Sequence, residues 1–199
     1  MMKKRIDVER LPVWAKSWDF IGLVESKCAY YEVNPYHILA LIMLESGGNP
    51  LACRYEGKQK IIRDDFGKVI DVRPGFKWTY ELKNFAEMLG ATEDTIEMLQ
   101  STSFGLGQVL GVHYFEKGGV LEPIEHYRWP TALFDENINL EYTLKIWREK
   151  LDKYGDDPEI TYASYNAGSP RFVGHGLVNQ AAVNIFLKYL KEIETRVLF

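Results

Sequence analysis

The segment from Asp135 to Tyr154 has the most restrictive apolar pattern in this chain. Its apolar residues follow one another at steps of four, three, four and three: Leu140, Leu144, Trp147, Leu151 and Tyr154. This spacing places all five on one face of an α-helix, and such a face must be buried against other elements. Gly155 follows and indicates where the helix ends. The sequence therefore predicts a long amphipathic helix.

Helical patterns also cover much of the remaining chain. They span residues 17–33, 34–45, 77–90, 92–100, 158–168 and 177–197. Asn34 followed by Pro35 is typical of a helix start, with an N-cap and then proline in the first helical position. A further helix is predicted to begin near Phe104. In the last segment one face is predicted to hold Val178, Ala182, Ile185, Tyr189 and Ile193.

One stretch of the chain departs from the helical pattern. Two short β-prone runs between residues 58 and 72 flank Asp64-Asp65-Phe66-Gly67, which is a turn signal. We expect a small hairpin there, within an insertion at about residues 51–76. The predicted fold class is therefore mainly α, with a small β-hairpin insertion.

Length and composition limit the classes of function. With 199 residues, 46% of them hydrophobic, the chain can bury one sizeable core, so we expect a single domain over 1–199. The net charge is −4, and no basic run follows residues 3–5, so we expect no nucleic-acid partner. Cys28 and Cys53 are predicted to be free thiols. The four histidines are scattered, and neither a metal nor a cofactor is predicted.

The first residues carry charge but no apolar run of the kind a signal peptide needs. No segment reaches the roughly 20 apolar residues of a membrane span. We therefore expect synthesis in a cytoplasm without a signal peptide, and no membrane-spanning segment. A monomer is expected, since no coiled-coil pattern is present.

Glu45 is the most unusual acidic residue of the sequence. It follows seven apolar residues, 38–44, and precedes a turn containing Gly47 and Gly48. An apolar setting penalises the charged form of a carboxyl group and raises its pKa. A Glu that is protonated near neutral pH can donate a proton to a leaving oxygen. The alternative at this position is a helix-end Glu that points into solvent.

Two further patches carry groups suited to a polar ligand. In residues 103–108, Gly105 and Gly107 allow close approach of a ligand or of another helix, and Gln108 offers an amide. In residues 163–168, Tyr165 and Asn166 place a phenol and an amide side by side at a helix end. The alternatives are helix packing for the first patch and a capping Asn beside a half-buried Tyr for the second.

Taken in order, these patches resemble a known family. Glu45-Ser46 with Asn49-Pro50, then residues 105–108, then residues 165–168 are similar to the three motifs of soluble lytic transglycosylase (SLT) domains. The resemblance covers roughly residues 18–190. It implies a goose-lysozyme-like fold and cleavage of the MurNAc–GlcNAc bond of peptidoglycan glycan strands, with 1,6-anhydro ends.

The resemblance also implies roles for individual residues. Glu45 would be the single catalytic acid and base, and Tyr165 would hydrogen-bond it. Asn166 would contact an N-acetyl sugar. The remaining substrate-binding residues implied are Ser46, Ser103, Gly105, Gly107 and Gln108.

The sequence departs from the family pattern in three ways. The connection between the first two motifs is long, Gly107 replaces the usual Met, and Ser164 replaces the usual Ala. The insertion also supplies candidates for a second carboxylate, namely Glu56, Asp64, Asp65 and Asp71. With one of them orienting a water, the enzyme would be a hydrolytic muramidase (a lysozyme). Tyr55 and Trp78 are the aromatic residues of this region that could stack on sugars.

A third alternative is an inactive glycan-binding module, for example a structural part of a phage. For an active enzyme, a chain without a leader is typical of a phage lysin. It would reach the bacterial cell wall by holin release or as a component of the virion.

Overall fold

The computed structural model describes residues 18–57, 60–63, 69–73, 78–119, 129–170, 172–173 and 176–197. These residues are mainly helical, as the sequence predicted. They form eight α-helices: α1 (Trp18–Tyr30), α2 (Pro35–Glu45), α3 (Leu82–Leu89), α4 (Glu93–Gln100), α5 (Gly111–Glu116), α6 (Glu136–Tyr154), α7 (Pro158–Ala167) and α8 (Gln180–Val197). A short 3₁₀ helix, Pro130–Phe134, precedes α6.

The described strands are short and antiparallel: β1 (Cys53–Tyr55), β2 (Lys60–Arg63), β3 (Val69–Arg73), β4 (Thr102–Phe104), β5 (Val109–Leu110), β6 (Phe172–Val173) and β7 (Gly176–Leu177). They form a three-stranded sheet in the order β1-β4-β5 and two separate pairs, β2-β3 and β6-β7. The β2-β3 pair is the predicted hairpin, whose turn residues 64–67 lie outside the described residues. In the larger sheet Arg54 is opposite Ser103.

The prediction that a helix begins near Phe104 is wrong. Residues 102–104 and 109–110 are strands, and α5 begins only at Gly111. Between the strands, Gly105 has φ +70° and Gln108 has φ +50°. These are left-handed conformations that a continuous α-helix does not contain. The glycine-rich motif is therefore a tight connection between two strands.

Helix α6 is central because both apolar clusters of the described core pack on it. Leu140, Leu144, Trp147 and Leu151 are buried in one cluster with α1, α2, α7 and α8. Tyr142 and Ile146 belong to the other cluster, with α3, α4 and α5. The predicted stripe on α6 is thus confirmed, except that its fifth member, Tyr154, is partly exposed.

Helix α2 begins and ends as its sequence indicates. The Asn34 side chain accepts a hydrogen bond from the backbone N–H of Tyr36, and Pro35 is the first helical residue. The middle of the helix, residues 37–42, is buried. At the other end the Ser46 backbone N–H bonds to the carbonyl of Ile42. Glu45, the last helical residue, is therefore held against a buried segment.

The buried face of the last helix agrees with the predicted one in part. Of the predicted residues, Ile193 is buried, and Ala182 and Tyr189 are partly buried against the core. Val178, which precedes α8, and Ile185 are 55% and 43% exposed. The other buried residues of α8 are Val183, Phe186 and Leu190. Within the described residues, no helix is both long and apolar enough to cross a membrane. Cys28, which is buried, and Cys53, which is exposed, are both free thiols, as predicted.

Candidate active site

Glu45 lies at the junction of three parts of the fold. Helix α2 carries it, and α7 contributes side chains that bond to it. The strand β1 and the turn after it carry Arg54 and Glu56, whose charges act on it. The carboxyl group is only partly exposed, since the apolar body of α2 leads directly to it.

Helix α7 holds the carboxyl group through two side chains. The Tyr162 hydroxyl donates a hydrogen bond to Oε1 of Glu45 over 2.8 Å. The Asn166 side chain also hydrogen-bonds Glu45. Because residues four apart lie on the same face of a helix, α7 presents both groups to Glu45 together.

The protonation of Glu45 is set mainly by its burial. Burial raises the pKa of Glu45 above its ordinary value, because a charged carboxylate loses hydration there. Hydrogen bonds from Tyr162 and Asn166 and the positive charge of Arg54 act in the opposite direction, while the charge of Glu56 adds to the increase. The net effect is a raised pKa, as the apolar sequence before Glu45 predicted. Such a group can act as a general acid.

Arg54 and Glu56 form an ion pair beside the site. Arg54 Nε donates to Oε1 of Glu56, and Ser103 Oγ lies 3.5 Å from the same oxygen. The Glu56 side chain is 16% exposed, against 57% for Arg54. Glu56 follows β1 directly, and its backbone N–H donates to the carbonyl of Ser101 over 2.8 Å. The sheet therefore holds a second carboxylate near Glu45, already paired with a cation.

The two glycines of the second motif pack tightly on α6. A Cβ on Gly105 would lie 2.3 Å from Nδ2 of Asn139, and a Cβ on Gly107 would lie 2.1 Å from Oγ1 of Thr143. Asn139, which is buried, accepts from the Gly107 backbone N–H and donates to the carbonyls of Phe104 and Leu133. The absence of side chains here thus permits close contact with a helix, which was the alternative considered for this motif.

Gln108 and Ser46 make internal hydrogen bonds. The Gln108 side chain is 9% exposed, and its Nε2 donates to the carbonyls of Ala52 and Gly105. Ser46 Oγ donates to the carbonyl of Ile42 and accepts from the backbone N–H of Gly48. These bonds fix the backbone on both sides of Glu45. Substrate contacts by Ser46, Ser103, Gly105, Gly107 and Gln108 remain predictions.

The hydrogen bond predicted between Tyr165 and Glu45 is replaced by another. Tyr165 donates to the carbonyl of Gly107 over 2.8 Å, and Tyr162 is the tyrosine that donates to Glu45. The two tyrosines are one helical turn apart, and the one nearer the start of α7 bonds to Glu45. Asn166 is exposed, as a sugar contact requires. Its Oδ1 accepts from Nδ2 of Asn179, which leaves the Asn166 amide nitrogen for Glu45.

The other candidate carboxylates of the insertion lie outside this description. Asp64 and Asp65 are not among the described residues, and Asp71 is described only as a backbone position paired with Ile62 in β3. Of the four candidates, only Glu56 can be placed near Glu45.

Three residues that the sequence reading missed now belong to the site. Tyr162 could have been found by helix spacing, since it lies four residues before Asn166. Arg54 and Asn139 gave no comparable signal, because a strand pairing and a helix–loop contact bring them into place.

The mainly helical fold, with a small sheet beside a buried glutamic acid at a helix end, defines a lysozyme-like domain. Residues 22–175 match the family model described as Transglycosylase SLT domain, and the chain belongs to this family. Membership assigns it, in general terms, peptidoglycan lytic transglycosylase-type activity, that of a lyase on a polysaccharide. Searches among curated proteins and among solved structures found no match.

Proposed function

We propose that this protein cleaves the β-1,4 bond between MurNAc and GlcNAc and leaves 1,6-anhydro ends. Glu45 acts as the single general acid and base. The observation that carries this proposal is the environment of Glu45. Its carboxyl group is partly buried, has a raised pKa, and is held by Tyr162 and Asn166 at the end of α2.

The proposed reaction needs only this carboxyl group and the sugar. Glu45 donates its proton to the glycosidic oxygen as the bond from that oxygen to C1 of MurNAc breaks. The ionised Glu45 then accepts the proton of the C6 hydroxyl while O6 forms a bond to C1. No water is consumed and Glu45 is protonated again. Attack within one sugar ring has an entropic advantage over the capture of a separate water.

The decisive experiment is mass spectrometry of fragments released from purified peptidoglycan. We expect fragments lighter by one water than hydrolytic products, and none from the variant Glu45→Gln. Glu87→Gln is the matched control, since the Glu87 side chain is 70% exposed on α3, and it should release the same fragments as the wild type. Activity that survives in Glu45→Gln would refute the proposal.

A hydrolytic muramidase is the second candidate, and the position of Glu56 is the observation that favours it. Its carboxylate acts electrostatically on Glu45 and is held by Arg54 and Ser103. A carboxylate in such a place can orient an attacking water. Fragments with ordinary reducing ends, lost in Glu56→Gln, would establish this candidate in place of the lyase. An inactive glycan-binding module would bind peptidoglycan in the same assay and release nothing.

We further propose that the chain acts as a monomeric, single-domain phage lysin on the bacterial cell wall. The peptidoglycan substrate of the family supports the part of this proposal that concerns the cell wall. Immunodetection in purified phage particles distinguishes the two routes. A positive result supports a virion component, whereas absence from particles together with lysis that requires a holin supports an endolysin.

A further inference from the structure

Tyr162 and Tyr165 hydrogen-bond two different parts of the site. They lie one turn apart on α7, and each hydroxyl donates one hydrogen bond of 2.8 Å. Tyr162 bonds to the carboxyl group of Glu45, whereas Tyr165 bonds to the backbone carbonyl of Gly107. The first contact acts on the proposed acid itself. The second acts on the loop that follows β4.

The side chain of Tyr162 is held rigidly by its surroundings. Its side chain is 1% exposed. Its ring stacks on Phe186 with ring centroids 4.5 Å apart and planes inclined by 7°. A ring fixed in this way cannot turn its hydroxyl away from Glu45. The stacking does not involve the hydroxyl, so Phe at this position would retain it.

We propose that Tyr162 is the positioning residue for Glu45, holding Oε1 so that Oε2 carries the proton transferred in catalysis. This inference rests on the proposed role of Glu45. A carboxyl group with one oxygen occupied by a fixed donor has a defined orientation, and the transferable proton is then on the other oxygen. The tyrosine acts through Glu45 and need not touch the substrate.

The hydrogen bond also fits the charge changes of the reaction. When Glu45 has given up its proton, a donor at 2.8 Å stabilises the carboxylate that remains. Burial and the neighbouring charge of Glu45 raise the pKa of Tyr162, so its hydroxyl stays protonated and continues to donate. The other groups that act on Glu45 are Arg54 and Glu56 from the strand side and Asn166 from α7. Burial and the charge of Glu45 also raise the pKa of Tyr165, whose hydroxyl bonds to Gly107 and not to Glu45.

The test compares Tyr162→Phe with Tyr165→Phe, which remove one hydroxyl each from the same helix. Rates on a soluble MurNAc–GlcNAc oligosaccharide are measured from pH 4 to 9. For Tyr162→Phe we expect kcat to fall about 10- to 100-fold, the loss typical of a hydrogen bond to a charged group, with KM unchanged within about twofold. Because the pKa of Glu45 rises without this donor, the decline of the rate at high pH should move upward by about one to two pH units. Tyr165→Phe should leave that decline in place.

Two outcomes would overturn the inference. One is a Tyr162→Phe variant with the rate and pH profile of the wild type, and the other is an upward shift produced by Tyr165→Phe instead. If Tyr162→Phe does not fold, proton NMR of otherwise intact protein provides the test. The hydroxyl resonance of Tyr162 should move upfield in Glu45→Gln, because a neutral amide is a weaker acceptor, while that of Tyr165 stays. An unmoved Tyr162 resonance refutes the inference.

Failure of this inference is distinguishable from failure of the proposed function. An inactive Glu45→Gln together with an unaffected Tyr162→Phe would remove only the role of Tyr162. An active Glu45→Gln would remove the proposed function, and the role of Tyr162 with it.

Discussion

Glu45 carries its charge at a place that disfavours the charged form. Residues 38–42 of the same helix are fully buried, and the carboxyl group retains only part of its contact with water. Tyr162, Asn166 and Arg54 compensate in part, and the pKa remains raised. Function and stability therefore make opposite demands on this residue, since an acid that protonates a substrate near neutral pH is costly to ionise.

We expect Glu45→Gln to unfold at a higher urea concentration than the wild type at neutral pH. The sign follows from the raised pKa. The favourable contribution of Glu45 is fully present below its ordinary pKa of 4.5 and is lost as pH rises through the higher folded value. The gain should be about 1.4 kcal/mol for each unit by which the pKa is raised.

The pH dependence identifies the cause of this gain. Below pH 4 the two proteins should be equally stable, because both side chains are then neutral. Glu87→Gln on the surface should match the wild type at every pH. A gain of equal size at pH 4 and pH 7 would show that burial of charge is not the reason.

At the scale of elements, the connection between β4 and β5 depends on its contact with α6. Gly107 approaches Thr143 so closely that a methyl group would meet both Oγ1, at 2.1 Å, and Cγ2, at 2.9 Å. Thr143 is fully buried, and a β-branched side chain on a helix has little rotational freedom. Turning the side chain would exchange one of these atoms for the other without making room.

We therefore expect Gly107→Ala to lower the free energy of unfolding by about 1–3 kcal/mol, the usual cost of overpacking. Gly22→Ala is the matched control. Gly22 lies in α1 with open space around its Cα, so alanine should stabilise the protein there by about 1 kcal/mol. Urea denaturation followed by circular dichroism measures both. Adding Thr143→Ala should recover part of the loss in Gly107→Ala, and a full loss in the double variant would exclude the contact as its cause.

The elements differ in how far the sequence predicted them. Helix α2 has a cap, a proline and an apolar run that are all local, so its bounds follow from the sequence. The strands β4 and β5 are two to three residues long, and β4 also pairs with β1, which lies far from it in the chain, so local sequence patterns do not indicate them. In α8 the predicted face includes the buried Ile193 but also the exposed Ile185, because packing against α2 and α7 determines which residues of the helix are buried.

At the scale of the whole molecule, the site is assembled from residues far apart in the chain. Glu45 and Tyr162 are separated by 117 positions, and Gly107 and Tyr165 by 58. The motifs assigned Glu45 and Asn166 to one predicted site, although Asn166 was expected to contact a sugar and not Glu45. Which of two tyrosines on one helix reaches Glu45 depends on how α7 packs on α6 and α8, and local sequence does not contain that information.

The core also contains a histidine whose protonation affects the stability of the whole fold. His37 is 7% exposed, and its ring lies 6.0 Å from that of Trp147. Among the described atoms, Nδ1 of His37 and Nε1 of Trp147 have no hydrogen-bond partner. Burial lowers the pKa of His37 below its ordinary value of 6.5, although the charge of Asp156 opposes this. The native state therefore resists the protonation that the unfolded chain accepts.

We expect the free energy of unfolding to fall as pH decreases below about 6.5, by up to about 1.4 kcal/mol per pH unit until the folded pKa is reached. Glu45 has the opposite pH dependence, so the measurement is made in the Glu45→Gln background. Adding His37→Leu should remove the decrease between pH 6.5 and pH 5. If the slope persists in His37→Leu, the acid sensitivity comes from other groups, and the neutral buried histidine is not its source.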